Sequence, residues 1–541
     1  MHTTPGWLPT ISNFLIALLV GVVLGSVVQT QINLAALQGM GVELPMMLRL
    51  ETTLKDIITF APIYTALFAV GFLLSQFAAV LMSRWLGGRF LALLCMSVAA
   101  LGLLVTFEVV NVFAPMPTLV AATREVPGLM AILVSAAVAG WLHALLRRRA
   151  LNARRPRGFS GFVLVLSVSG LATAAPGITS TAQAQEAPTE TQPYDIKTLA
   201  GDLEHPWSLA FLPDGRMLVT ERPGRLRLLS AEGETLVASL DGVPDVYASG
   251  QSGLFDVLLS PQFEENQQLY LSYTCGSAEA NHTCLATGTL AENSLENVSE
   301  IFRVQPAKQG DAHYGGRMVW LQDDTLILTL GDGFDYREQA QNLSNHIGTI
   351  VRLNGDGSVP DDNPFVDRDD VRPEIYSYGH RNPQGLVFDE ANQRLIAHEH
   401  GPRGGDEINI IEAGANYGWP IATGGLDYTG ARVTPFNEYP GTVSPLFEWT
   451  PSIAPSGLAL YSGELFPEWQ GDLLVGALVN KEVRRVRLSS DGREAEDVEG
   501  LFGELEERIR DVRVGPEGAV YLLTDSPDGR VVRVTPRASE R

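Results

Sequence analysis

Cysteine is nearly missing from this chain, with three in 541 residues. No C-x-x-C-H haem motif and no zinc-type cluster occurs, which argues against a c-type cytochrome or a zinc-organised fold. There is no acid-rich run of the EF-hand kind either. Charged residues make up only 19% against 45% apolar, a balance that excludes a disordered or fibrous protein. The charge is also one-sided. Residues 1–184 hold 11 Lys/Arg and 5 Asp/Glu, net +6, whereas residues 185–541 hold 28 and 57, net −29. An acidic half of that size repels phosphate backbones and speaks against nucleic acid as a partner.

Long apolar runs are confined to the first third. Four stretches, from about Ile11 to Leu34, Ile57 to Met82, Phe90 to Phe113 and Val126 to Leu146, each suffice for the roughly 20 residues that cross a bilayer. Arg84 and Arg89 lie between the second and third stretches, and Arg147, Arg148, Arg149, Arg154, Arg155 and Arg157 follow the fourth. Placing these loops in the cytoplasm puts the N-terminus inside as well. Residues 1–150 therefore read as a four-helix transmembrane domain. Glu108 and His143 are its ionisable candidates, set against the plainer reading that both sit near helix ends and reach the interface.

Residues 151–193 read as a basic loop, an internal signal or anchor segment and a linker. The apolar run Phe159–Ala175 ends in Ala182-Gln183-Ala184, the form of a signal peptide, which is either cleaved or kept as a fifth span. Either way the rest is exported, and an inner-membrane protein with a periplasmic domain is expected. Cys275 and Cys284 fall in that exported part, nine residues apart, and either close a hairpin disulfide or stay as two buried thiols.

From residue 194 to 541 helical periodicity is almost absent, apart from Leu501–Arg508. Instead a strand, a Pro/Asp/Gly turn and a second strand recur, starting at Trp207, Gly253, Gly316, Gly385, Gly457 and Val512. Such units read as propeller blades, because radial closure leaves few exposed strand edges. The expected fold is an all-β propeller of six four-stranded antiparallel blades, preceded by an α-helical membrane domain. Unusual polar clusters interrupt the repeats: Gly250-Gln-Ser-Gly-Leu254, Asp311-Ala-His-Tyr-Gly-Gly-Arg317, Tyr378-Gly-His-Arg-Asn-Pro-Gln-Gly385, Glu399-His-Gly-Pro-Arg-Gly-Gly-Asp-Glu-Ile-Asn409, Asn416-Tyr-Gly-Trp-Pro420 and Glu507-Arg-Ile-Arg-Asp511.

These clusters, in this order, resemble the glucose/sorbosone dehydrogenase family, whose members use pyrroloquinoline quinone (PQQ). They are most similar to its aldose sugar dehydrogenase branch. The resemblance runs over about 195–536 and does not touch residues 1–184. It implies oxidation of an aldose at the anomeric hydroxyl to a lactone, with hydride transfer to PQQ. His313 matches the family's general base, a role suited to a neutral imidazole. Arg381 matches the cation that stabilises charge on the quinone. Further cofactor contacts implied are Gln251, Asn382, Trp449, Arg508 and Arg510, the two last as a carboxylate clamp. Ca²⁺ is implied against PQQ, on the carbonyls of Gly401 and Pro402, and a second Ca²⁺ on Glu407 with the carbonyls of Tyr417 and Tyr428.

Two positions depart from the family. Where the glucose enzymes have Asp directly before the base, this chain has Ala312, with Asp311 one place earlier. The family's PQQ-contacting Lys aligns with Val479, so Lys481 would have to substitute, or PQQ binds more weakly. Rival readings are a non-catalytic propeller binding glycans or proteins, and a calcium-dependent propeller lactonase. The chain offers no haem for electrons leaving PQQ, so an external acceptor is expected, a membrane quinone or a partner cytochrome.

Overall fold

The computed structural model describes residues 7–113, 118–152 and 193–537. Arg154, Arg155 and Arg157, the run Phe159–Ala175 and the tripeptide at Ala182–Ala184 lie outside the described residues. The N-terminal part is built from α1 (Trp7–Gly39), α2 (Met46–Thr59), α3 (Ala61–Trp85), α4 (Leu91–Phe113) and α5 (Val126–Asn152). All but α2 are long and apolar enough to span a membrane. Small residues let them approach closely: a Cβ on Gly71 of α3 would lie 2.8 Å from the Gly102 carbonyl of α4. Glu108 is exposed. His143 is instead buried, its Nδ1 2.8 Å from Gln76 Oε1, so it is satisfied between helices and does not reach the interface.

Helix α2 was not separable in the sequence from the second span, which starts at Ala61 and not at Ile57. Its polarity is inverted. Met46, Met47, Leu50, Leu54 and Ile58 are exposed, while Thr52, Thr53 and Asp56 are buried. That distribution is the one expected of a helix lying in the plane of a membrane surface, apolar stripe toward lipid.

The polar face of α2 meets the C-terminal domain. Asp56 Oδ1 accepts from the Arg432 backbone N–H at 3.0 Å, and Asn33 Nδ2 donates to the Arg432 carbonyl at 2.9 Å. Arg337 Nη2 reaches Asn33 Oδ1 at 2.9 Å. Gly430, at φ +83°, passes so close that a Cβ would lie 2.5 Å from the Thr59 carbonyl. Leu34, Leu37, Val42 and Leu44 pack with Ile421 beside these bonds.

The C-terminal domain is a six-bladed propeller of four-stranded antiparallel sheets. The innermost strands are Pro206–Phe211, Leu254–Leu259, Gly315–Trp320, Pro383–Asp389, Pro455–Leu460 and Ile509–Val514, the six repeat starts of the sequence. The ring closes because the first strand, Tyr194–Leu203, pairs with the last, Gly529–Pro536, as the outer edge of the final blade. This ties the ends together and removes an open edge. Leucine, valine and isoleucine fill the spaces between blades. Cys275 and Cys284 form a disulfide in the second blade.

Candidate active site

The mouth of the channel gathers most of the polar clusters. His313 sits just before an innermost strand, with φ +52°, an unusual conformation for a non-glycine residue. Its backbone N–H donates to Gln251 Oε1 at 2.9 Å, and its Nδ1 lies 2.6 Å from Asp332 Oδ1. Asp332 is itself fixed: Oδ1 accepts from the Phe334 N–H at 2.8 Å, and Oδ2 from Trp419 Nε1 at 2.8 Å. The Asn-Tyr-Gly-Trp-Pro motif thus contributes Trp419, which holds the aspartate partner of His313. The carboxylate beside His313 is Asp332 and not Asp311, whose Oδ2 accepts from Ser249 Oγ at 2.8 Å.

Burial and the nearby Arg381 guanidinium hold His313 below the usual imidazole range, and Asp332 pulls the other way. The lowered pKa favours the neutral imidazole. Burial raises the Asp332 carboxyl, but His313 and Arg381 outweigh it and hold it below the usual carboxylate range. With Nδ1–H directed at Asp332, Nε2 is left as a base with no protein partner among the described residues.

The Gly-His-Arg-Asn-Pro-Gln-Gly block places three consecutive side chains in three directions. His380 turns inward, Nδ1 2.9 Å from Glu399 Oε1. Arg381 Nη1 donates to the carbonyls of His400 and Gly401, at 3.0 and 2.7 Å. Asn382 Oδ1 accepts from the Gly315 N–H at 3.2 Å.

A cavity of about 200 Å³ lies beside this group, lined among others by Gln251, Asn382, Arg508 and Arg510. Its further walls include residues not assigned a site role from sequence: Trp207, Arg222, Gln384, His400 and Asp525. Arg508 and Arg510 both donate to Asp525 Oδ2, at 3.1 and 2.8 Å. Burial raises the Asp525 carboxyl, yet Arg510 and Arg508 more than reverse this and hold it well below the usual range. Arg222, Arg508 and Arg510 thus face one carboxylate, an excess of guanidinium that suits a polyanion. Trp207 offers a flat wall, backed by the Arg317 guanidinium 4.0 Å from its ring centre.

Two predicted contacts do not line this cavity. Trp449 is buried beside Ile396 and Ile408, its Nε1 2.8 Å from Asp497 Oδ2 on an outer strand. Lys481 is exposed at a hairpin turn next to Val479. Neither lines this cavity, and Trp207 is one of the aromatics found there.

The donor sets fit calcium unequally. Gly401 O is taken by Arg381, so a cation there requires the guanidinium to turn away. Around Glu407 the fit is better. Glu407, Glu399 and Tyr417 line a space of about 10 Å³, and burial, then Glu399, push the Glu407 carboxyl well above its usual range. Glu407 is half-buried beside the buried Glu399, a pair of carboxylates with oxygen chemistry suited to a hard cation. Tyr428 lines a neighbouring cavity instead. Asp406 braces this loop, Oδ1 accepting from Gly401 N–H at 2.8 Å and Oδ2 from Ser452 Oγ at 2.6 Å.

The profile of the Glucose / Sorbosone dehydrogenase family matches residues 203–533. The chain belongs to that family. The aldose sugar dehydrogenase YliI of Escherichia coli K12 is 42% identical over 350 residues, spanning 63% of this chain and 93% of that protein. The crystal structure of the soluble aldose sugar dehydrogenase from Escherichia coli, in its apo-form, superposes with TM-score 0.61 at 41% identity, covering 64% of this chain and 100% of that one. The PQQ-bound form of an aldose sugar dehydrogenase from Streptomyces coelicolor gives TM-score 0.53 at 28% identity, covering 64% and 99%. The membrane helices have no counterpart in these matches, which account for the propeller alone.

Proposed function

We propose that this family member oxidises aldoses at the anomeric hydroxyl to lactones, using PQQ and calcium. The observation that carries the reading is the meeting of a neutral, oriented imidazole and an arginine with an adjoining cavity rich in guanidinium. His313 Nε2 takes the proton from the anomeric hydroxyl, and Asp332 keeps the ring in the tautomer that can do so. Arg381 stabilises negative charge that develops next to the base. Arg222, Arg508 and Arg510 bind the carboxylates of PQQ, Trp207 supplies its flat wall, and Gln251 and Asn382 orient its edge. PQQ, when bound, accepts the hydride. Glu407, with Glu399 and the Tyr417 segment, holds a calcium ion that stiffens the loop carrying Gly401 and Pro402. A lactonase would have no use for three guanidiniums around a cavity, since lactones carry no carboxylates.

Location supports a membrane acceptor. Arg84, Arg89 and Arg147–Arg149 lie at one end of the helices and the propeller contacts at the other, a distribution that by the positive-inside rule supports a periplasmic propeller. The exposed apolar stripe of α2, next to the propeller contacts, supports a channel mouth near the bilayer surface and so a lipid-soluble quinone in preference to a soluble cytochrome.

The test is reconstitution of the apoprotein with PQQ and Ca²⁺, followed by dye reduction with a panel of aldoses. Sugar-dependent reduction that is lost in His313→Ala supports the reading; no reduction with any aldose overturns it. Removal of residues 1–158 should leave dye reduction and abolish sugar-dependent quinone reduction in membranes. Quinone reduction that survives the truncation would make the helices a mere anchor.

A further inference from the structure

Above Arg381 lies a second cavity, and part of its lining comes from the membrane domain. Thr118, Ala121 and Arg124, from the segment joining α4 to α5, face Phe334, Arg381 and Tyr428 of the propeller across it. Phe334 in turn stands 5.0 Å, centre to centre, from the His313 ring.

The membrane-side wall is fixed by bonds and not merely apposed. Thr118 Oγ1 donates to Asp335 Oδ2 at 2.9 Å. Arg124 donates to the Asp335 carbonyl at 3.3 Å and to both oxygens of Glu338 at 3.4 Å. Behind it, Arg337 bonds Asn33, and Asp56 holds Arg432. Ala121, Arg337, Arg381, Trp419 and Val433 are each less than a tenth exposed, whereas Tyr428 is 46% exposed. The membrane-side wall is tied down, whereas Tyr428, stacked on Phe334 at 6.1 Å and bonded by Arg381 Nη2 at 3.4 Å, is the exposed side chain of the opposite wall.

We infer that the membrane domain is the roof of the sugar site and restricts the substrate to single-ring aldoses, which enter past Tyr428. The inference rests on the aldose reading above. The space enclosed is about 20 Å³, room for little more than one water, so a sugar ring enters only as Tyr428 swings outward. A second sugar unit attached to that ring would run into Arg124 and Ala121, whose backing is the membrane-embedded helices. Discrimination of this kind comes from a clash against the larger substrate, not from added contacts to the smaller one. The roof also explains why the propeller face is docked by so many directed bonds instead of hanging on a flexible stalk.

The full chain, in detergent with PQQ and Ca²⁺, is compared on glucose, maltose and maltotriose. kcat/KM should fall by at least about tenfold from glucose to maltotriose. Arg124→Ala should narrow that ratio. Asp56→Lys, which severs α2 from Arg432 at a distance from the cavity, should narrow it too while glucose oxidation persists. Equal kcat/KM for all three sugars in the unaltered chain overturns the roof as a size filter. A Thr118→Cys, Asp335→Cys pair reads the contact without activity. It should close an intrachain disulfide in membranes, and its failure to form overturns the docked roof itself. Disulfide closure without oxidation of any aldose would instead count against the reading of the reaction, leaving the roof in place.

Discussion

His313 Nδ1 stands 2.6 Å from Asp332 Oδ1, and Trp419 Nε1 holds the other oxygen of that aspartate at 2.8 Å. The pair fixes both the direction and the tautomer of the imidazole, the arrangement a general base needs.

Replacing Asp332 by Asn keeps the shape but lets the amide donate to Nδ1, which moves the ring proton to Nε2. kcat should drop by about 10³–10⁴, as in other His–Asp pairs, with PQQ affinity nearly unchanged. The pH profile gives the sign independently. Burial and Arg381 lower His313 while Asp332 raises it. Activity is lost as pH falls through the His313 pKa, so the acid limb lies below the ordinary value of about 6.5. It should move lower still in Asp332→Asn and upward in Arg381→Met. Steady-state kinetics across pH 4.5–8 would check this, and an acid limb that stays put in both variants counts against His313 as the base.

The guanidinium cluster makes a separate prediction about affinity. A charge-assisted hydrogen bond contributes about 1.5–3 kcal/mol, so Arg510→Ala should weaken PQQ binding roughly 10- to 100-fold. Part of that loss comes from leaving Asp525 less neutralised, since both Arg508 and Arg510 bond its Oδ2. The double variant with Asp525→Ala should therefore recover some affinity. Fluorescence titration of the apoprotein measures all three, and additive losses would show that Asp525 and Arg510 do not share a site.

The propeller was legible in the sequence because each innermost strand begins at a repeat start, and the period survives the long insertions between blades. His313, Arg381 and Asn382 were legible because they sit in contiguous blocks. Asp332, Trp207, Arg222 and Asp525 were not, since they are brought to the mouth from three different blades by ring closure. Trp449 misled for a related reason: its neighbours in sequence line a loop, but strand alternation turns its ring into the space between blades. Lys481, two residues past Val479, is carried to the outside of a tight turn. The inverted helix α2 was hidden because an apolar stripe reads alike whether it faces a core or lipid; only the burial of Asp56 against Arg432 tells them apart.

Lys308 supplies a pH-dependent stability test. It is buried with Nζ 2.9 Å from the Ala312 carbonyl and 3.6 Å from the centre of the Tyr314 ring. Burial lowers it to about 7, against the pull of Asp332 and Asp311. An unfolded lysine keeps its proton up to about 10.4, so between these values the unfolded state binds more protons and stability rises with pH. Below about pH 7 the full cost of the buried charge is present. Lys308→Met removes this dependence. Thermal unfolding at pH 6 and pH 9 should show the unaltered protein gaining stability relative to the variant at the higher pH, and a difference independent of pH would mean Lys308 stays charged throughout.

Glu407 yields the sharpest test of the calcium assignment, because removing its charge should act in opposite directions with and without the ion. Burial and the neighbouring Glu399 oppose its ionisation, so without a cation the pair destabilises the loop between Glu399 and Asn409. Binding at a hundred times Kd would add about 2.7 kcal/mol of stability to the folded state. Calcium should raise the Tm of the unaltered protein by several degrees, and a chelator should reverse the gain. Glu407→Gln loses a ligand but also loses the repulsion. It should melt no lower than the unaltered protein in chelator and respond little to calcium. Differential scanning calorimetry of both proteins, in EDTA and in millimolar Ca²⁺, separates the terms. A full calcium response in Glu407→Gln would place the ion elsewhere, and a large loss of Tm in EDTA alone would mean Glu407 stabilises the fold through contacts unrelated to a metal.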